Sequence, residues 1–238
     1  MVLIMMLAFG AGTALADPPN RAPQNEERER ENPRVTLEEP GVLRMEFIDY
    51  VRPLQPSKGK SDKGYMVFAG WPETPISYVV NPTNPQGLSE EFIETAVAAA
   101  AGTWDAATPK RLFSNWYGID YTARSGVYDG MNTLSFGDLQ SPWVIAEAIT
   151  WVDTSIMAVA ECDIVFNTES VWGDATADGS SVMDLQNIAT HEIGHGLGLA
   201  DIYSSRWSYV TMYGYAGYGE ANKRSLERPD ITGLRVAQ

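Results

Sequence analysis

His191-Glu192-Ile193-Gly194-His195-Gly196-Leu197-Gly198-Leu199-Ala200-Asp201 contains both histidines of a 238-residue chain. Residues four apart on a helix share a face, so both imidazoles can reach one ion. Glu192 between them falls where it can take a proton from water on that ion. The ion this chemistry calls for is a single zinc, which accepts neutral imidazole at about 2.0–2.1 Å and has no geometric demand of its own. Gly198 can take a left-handed conformation, end the helix and turn the chain back, so that Asp201, three residues on, reaches the same ion. The competing reading makes Asp201 an ordinary loop residue at a helix end. Three protein ligands leave a fourth position for water, whose pKa the metal lowers toward ~7; that arrangement marks a catalytic rather than a structural zinc. A surface helix with incidental histidines is the alternative.

Working outward, Asp184 starts the helix, and Leu185, Ile188, Ala189 and Ile193 give it an apolar side. The preceding loop, Asn167 to Ser181, carries Glu169, Asp174 and Asp178. It admits calcium, but it matches no EF-hand spacing, and a solvated acidic loop is the preferred reading. Upstream, Ser89 caps a second helix with Glu90 and Glu91 in its first turn and Ile93, Val97, Ala100 and Trp104 as its buried stripe. Short strands are predicted at Ile76 to Val80, Gly118 to Tyr121, Asn132 to Phe136, Ile145 to Val152 and Cys162 to Phe166.

The beginning of the chain has a different character. Residues Val2 to Ala11 are almost wholly apolar, and Ala14-Leu15-Ala16 places small residues where a signal peptidase reads, so 1–16 is expected to be an export signal and the protein secreted. The segment is too short to cross a membrane, which takes about 20 apolar residues. From Asp17 to Gly64, prolines and the mixed charges of Glu26 to Glu31 predict a flexible leader, a pro-segment or a linker, before a compact domain over 65–238. Within the leader, Val42 to Val51 is apolar enough to pair as a strand.

Composition narrows the function further. A net charge of −14 argues against nucleic acid and anionic membrane surfaces, which need clustered Lys and Arg. With Cys162 as the one cysteine, no intramolecular disulfide can form, and a strand position makes it packing. The expected state is a monomer acting on a protein or peptide.

The run from Asp184 to Leu199 closely resembles the active-site helix of the matrixins, within the metzincin clan of zinc endopeptidases. Gly70-Trp71-Pro72 through Tyr78 is similar to the opening of their catalytic domain, Cys162 to Asn167 to its last sheet strand, and Asp230 to Leu234 to its C-terminal helix. The resemblance implies an α+β metzincin fold: a twisted, mostly parallel five-stranded sheet with one antiparallel edge strand, an active-site helix and a C-terminal helix. It implies that an extended peptide adds to the edge strand, for which Ile145 to Val152 is the candidate. It also assigns Met212 to a Met-turn, an apolar floor beneath the metal. The expected site is therefore His191, His195 and Asp201 as metal ligands, Glu192 as general base, and Gly198 and Met212 as support.

Four departures from that pattern stand out. Asp201 replaces the usual third histidine, as in snapalysin, and its charge makes the metal a weaker Lewis acid than three imidazoles would. Two histidines cannot supply a histidine-rich structural zinc site. No cysteine lies in the leader, so a cysteine switch is absent and latency needs another device. Gly214 stands where a proline usually follows the Met-Tyr pair, so pocket preference does not transfer, and Tyr213 and Tyr215 read equally as packing. A metzincin-like binding module without turnover, and a zinc hydrolase acting on a non-peptide amide or ester, are the rival functions.

Overall fold

The computed structural model describes residues 33–51, 63–71, 73–114 and 118–238; the expected export signal lies outside them. The chain opens with two strands of the leader, β1 (Arg34–Glu39) and β2 (Val42–Val51), and the short β3 (Met66–Val67). There follow β4 (Val79–Val80), α1 (Glu90–Asp105), β5 (Gly118–Ile119), β6 (Thr133–Gly137), β7 (Val144–Asp153) and β8 (Ala158–Asn167). The last third holds β9 (Trp172–Gly173), the single turn α2 (Ala175–Asp178), β10 (Met183–Asp184), α3 (Leu185–Gly196), β11 (Leu199–Ala200), β12 (Tyr215–Ala216) and α4 (Arg228–Ala237).

Five strands in the order β5-β4-β6-β8-β7 form the expected sheet, parallel except for β7, which runs antiparallel to β8. The sheet does not stop there. Strand β2 adds antiparallel to the outer side of β7, from Val42 opposite Asp153 to Tyr50 opposite Val144, and β1 pairs with β2 in turn. The leader expected to be flexible is thus, over 34–51, part of the sheet, and β7 is not an edge in this chain. The burial pattern gives the physical reason. In β7 only Glu147 and Asp153 are not fully buried, so its run of Val, Ile, Ala and Trp has apolar cover on both faces.

Helices α1 and α3 pack on one face of the sheet. Ser89 caps α1 by accepting from the Phe92 amide, and the stripe Ile93, Val97, Ala100, Trp104 is buried as the periodicity predicts. Trp104 also ties the two helices, its indole Nε1 donating to the Thr190 carbonyl at 2.8 Å. On the opposite face a smaller apolar cluster of Val42, Ile149 and Trp151 is closed by Tyr128, stacked on Trp151 at 5.6 Å. Among the described residues no helix is long and apolar enough to cross a membrane.

Candidate metal centre

Helix α3 is fixed at its start by Asp184. The carboxylate accepts from the amides of Asn187 at 2.8 Å and Ala175 at 2.7 Å and from the Arg224 guanidinium. Two turns later His191, Glu192 and His195 are all essentially inaccessible to solvent. Each histidine spends Nδ1 on a carbonyl that can only accept: His191 on Thr211 at 2.6 Å, His195 on Leu199 at 2.8 Å. For His195 this holds the proton of the neutral ring on Nδ1; His191 Nδ1 also lies 3.1 Å from Lys223 Nζ, and both Nε2 atoms face one another at 3.1 Å.

Gly198 ends the helix with φ of +86° and turns the chain back. Its carbonyl accepts from Phe68 at 2.9 Å, and a Cβ there would stand 2.0 Å from the Ala69 carbonyl oxygen. The turn delivers Asp201, whose Oδ1 lies 3.2 Å from His191 Nε2 and 3.7 Å from His195 Nε2, while Tyr203 donates to its Oδ2 at 3.1 Å. Met212 lies beneath: a Cβ on Gly194, between the two histidines, would meet its sulfur at 2.3 Å.

A fourth side chain joins them that the motif did not announce. Asp49, from leader strand β2, is buried with Oδ1 at 3.0 Å from His191 Nε2. Asp49, His191, His195 and Asp201 each offer one atom to a group lying within 4.8 Å, the one such group found among the described residues. A signal for it existed. Met45, Phe47, Asp49 and Val51 alternate on one face of β2, so an acid stands in an apolar row, where carboxylates are almost never left unless paired.

These residues fit a tetrahedral cation. Both Asp49 oxygens, both Glu192 oxygens and Oδ1 of Asp201 are buried without a hydrogen-bond partner, a costly state unless positive charge sits among them. Ligand atoms bonded at about 2.0–2.1 Å to one tetrahedral ion stand about 3.3–3.4 Å apart. The His191–His195, His191–Asp49, His191–Asp201 and His195–Asp201 separations are 3.1, 3.0, 3.2 and 3.7 Å, and the pairs of Asp49 with His195 and Asp201 lie within 4.8 Å. The protonation pattern reflects the crowding of charge. Burial opposes charge on His191, but Asp49 and Asp201 outweigh it and raise the group to about 10. Burial lowers His195 to about 4. Burial would raise Asp49, yet His191 and Lys223 bring it down to about 2. Glu192 is pushed well above the carboxylate range by burial first and by Asp49 next.

The profile of the family described as Matrixin matches residues 70–236. The chain belongs to the matrixin family. Human neutrophil collagenase is 27% identical to it over 206 residues, 80% of this chain and 38% of the collagenase, so the chain spans well under half of that relative. The α+β metzincin fold expected from the sequence is the fold observed, with the leader strands added to it.

Elsewhere in this matrixin the expected residues fall as follows. Cys162 is buried, and burial raises its thiol well above the usual range. Tyr213 and Tyr215 pack edge to face at 5.6 Å, and Tyr215 pairs in strand register with Tyr50 of β2. In the loop proposed for calcium, Asp174 caps α2 and pairs with Arg224 at 2.7 Å, and Asp178 accepts from the Asp174 amide at 3.0 Å. Those two carboxylates are engaged by the protein itself. Lys223, also unforeseen, is buried, donates to the Tyr213 carbonyl at 2.6 Å and stands 3.9 Å from Asp49 Oδ2.

Proposed function

We propose that this chain is a secreted zinc-dependent endopeptidase with His191, His195 and Asp201 as its permanent metal ligands. The observation that carries the reading is the pair of buried Nε2 edges turned to each other beside the unpaired oxygens of Asp201 and Glu192. Membership of the matrixin family and likeness to a collagenase support a zinc metalloprotease. The Met1 to Ala16 pattern supports export.

Zinc bound here supplies a Lewis acid that polarises the scissile carbonyl and acidifies the attacking water. The rest falls to the chain. Thr211 and Leu199 hold both imidazoles in the tautomer that presents Nε2. With β2 displaced from β7, an extended peptide would hydrogen-bond along that strand, which would fix its register over the helix. Glu192 takes the proton from the attacking water and returns it to the leaving amine; burial and neighbouring carboxylates raise its proton affinity in the metal-free protein, and a cation at His191 and His195 favours its ionised form. Gly194 and Met212, in contact under the histidines, keep the ligand-bearing turn rigid.

The test is digestion of a peptide library by the mature protein with zinc added. Glu192→Gln is expected to lower turnover by about 10²–10⁴-fold with zinc content unchanged. Cleavage that continues at the wild-type rate in that variant, or in the presence of a chelator, would sink the mechanism.

A further inference from the structure

The leader strand lies where a substrate strand belongs, and a carboxylate on it reaches the centre. We infer that β2 is an internal inhibitor, with Asp49 as the fourth ligand of the ion held by His191, His195 and Asp201. This rests on the endopeptidase reading above. Three independent features carry it.

The first is strand pairing. β2 pairs antiparallel with β7 on one side, and its last two residues, Tyr50 and Val51, pair parallel with Tyr215 and Ala216 of β12 on the other. The whole outer side of β7, on which an extended peptide would add, is therefore taken, and so is the segment facing it across the helix. The second is the placement of Asp49. The β2–β7 register shifts between Asp49 and Tyr50, where β7 carries the extra residue Ile145. Next to that irregularity the Asp49 carboxylate lies 3.0 Å from His191 Nε2 with both oxygens lacking hydrogen-bond donors. A buried carboxylate so placed is stable only against positive charge; Lys223 Nζ lies 3.9 Å from Oδ2, and four ligand atoms within 4.8 Å of one another supply the place for a metal ion beside Oδ1. The third is the cover. Phe47, on the same face as Asp49, stacks on the His195 ring at 4.4 Å with 14° between planes and leans on Phe68 at 4.8 Å. It closes the approach to the second histidine.

The functional consequence is latency without a cysteine. While β2 is in place, Asp49 takes the fourth position that the attacking water requires, and β7 has no free edge to offer a substrate. Cutting the chain between β2 and the domain leaves Asp49 attached only by non-covalent pairing. The effective concentration that a tether gives it is then lost.

The full-length chain provides the test, as wild type, Asp49→Ala and Asp49→Asn. One readout is the rate at which bound zinc passes to a chromophoric chelator; the other is the initial rate of fluorogenic peptide cleavage with zinc in excess. Asp49→Ala is expected to release zinc about tenfold faster or more; because it also frees the metal-anchored end of β2 to leave β7, it is expected to cleave at least about tenfold faster while the chain is still intact on a gel. The Asn variant keeps the shape of the side chain and the strand pairing, and is expected to lie between the two. Equal zinc release and equal cleavage by all three chains would overturn the inference and leave the endopeptidase reading intact. Faster zinc release with no cleavage by any chain would support Asp49 as ligand and sink the endopeptidase reading instead.

Discussion

Gly198→Ala tests whether the turn after α3 is what holds the third ligand. The first cost is conformational: φ is +86° at this residue, and a non-glycine residue in left-handed backbone loses about 1–2 kcal/mol. The second is steric. The added Cβ would lie 2.0 Å from the Ala69 carbonyl oxygen, which is backbone and cannot rotate away, so one of the two segments must move by about 1 Å or more. That movement strains the 2.9 Å bond from the Phe68 amide to the Gly198 carbonyl, worth about 1 kcal/mol. The total is about 2–4 kcal/mol. At about 2–4 °C per kcal/mol for a chain of this size, the zinc-free protein should melt about 4–16 °C lower when followed by circular dichroism in chelator. Asp201 lies three residues beyond the displaced turn, so zinc affinity should also fall. Gly198→Asn separates the two causes, because asparagine tolerates left-handed backbone but still carries a Cβ. It should recover only the conformational part. A melting point within about 2 °C of wild type for the Ala variant, with unchanged zinc affinity, would refute the argument.

Gly194→Ala should be as damaging for a different reason, since its Cβ would meet the Met212 sulfur at 2.3 Å and the Trp104 ring at 2.9 Å. Zinc-free unfolding in urea should show a loss of about 1–3 kcal/mol, and a neutral result would mean that Met212 moves freely. In the zinc-free protein His191 is raised to about 10, above pH 7, so zinc must displace its proton. Calorimetric titration in buffers of different ionisation enthalpy should find at least one proton released, from His191 and, where the cation ionises it, from Glu192, and none released would contradict the assignment. Glu147, on β7 opposite Ile48, is raised to about 7 by burial first and then by Glu46. A carboxylate raised in the folded state contributes fully below about pH 4.5 and loses that contribution as pH climbs through 7, a fall of about 2–3 kcal/mol. Glu147→Gln should flatten the stability profile between pH 5 and 8, and a profile parallel to wild type would exclude this cause.

What the sequence made legible was local. The caps Ser89 and Asp184, the stripe on α1, and the histidine spacing on α3 are each written within a few turns of chain, where one side chain meets a backbone group three or four residues away. Runs such as Ile145 to Val152 declared themselves as strands because they are apolar on both faces. The contribution of the leader was harder to see. Every residue of β1 is exposed, so the alternating Val35 and Leu37 meet no core, and the order of the strand comes from pairing with β2. Asp49 reaches the centre only because β2 pairs with β7 across about a hundred residues, and register over such a separation is set by the assembled sheet rather than by any short pattern. The position of Asp49 in an apolar row marked it as unusual, but nothing nearby in the sequence named its partner.

The two carboxylates explain each other through charge. Zinc with two neutral imidazoles and Asp201 alone leaves one positive charge, which a dry site tolerates poorly but which makes the metal a useful Lewis acid. Adding Asp49 brings the total to zero. Such a centre is comfortable under Phe47 and β7 and poor at polarising a carbonyl. On the inference above, the covered chain would gain stability from the same charge that silences it, and removal of β2 would do both opposite things together: restore the positive charge and open β7 to a peptide. An aspartate as third ligand would make this contrast sharper than a histidine. With three imidazoles the covered centre would still carry one positive charge, whereas with Asp201 as a ligand the carboxylate of Asp49 would cancel the last of it. The replacement that would weaken the metal in the open form is the one that would let a single leader aspartate neutralise it in the closed one.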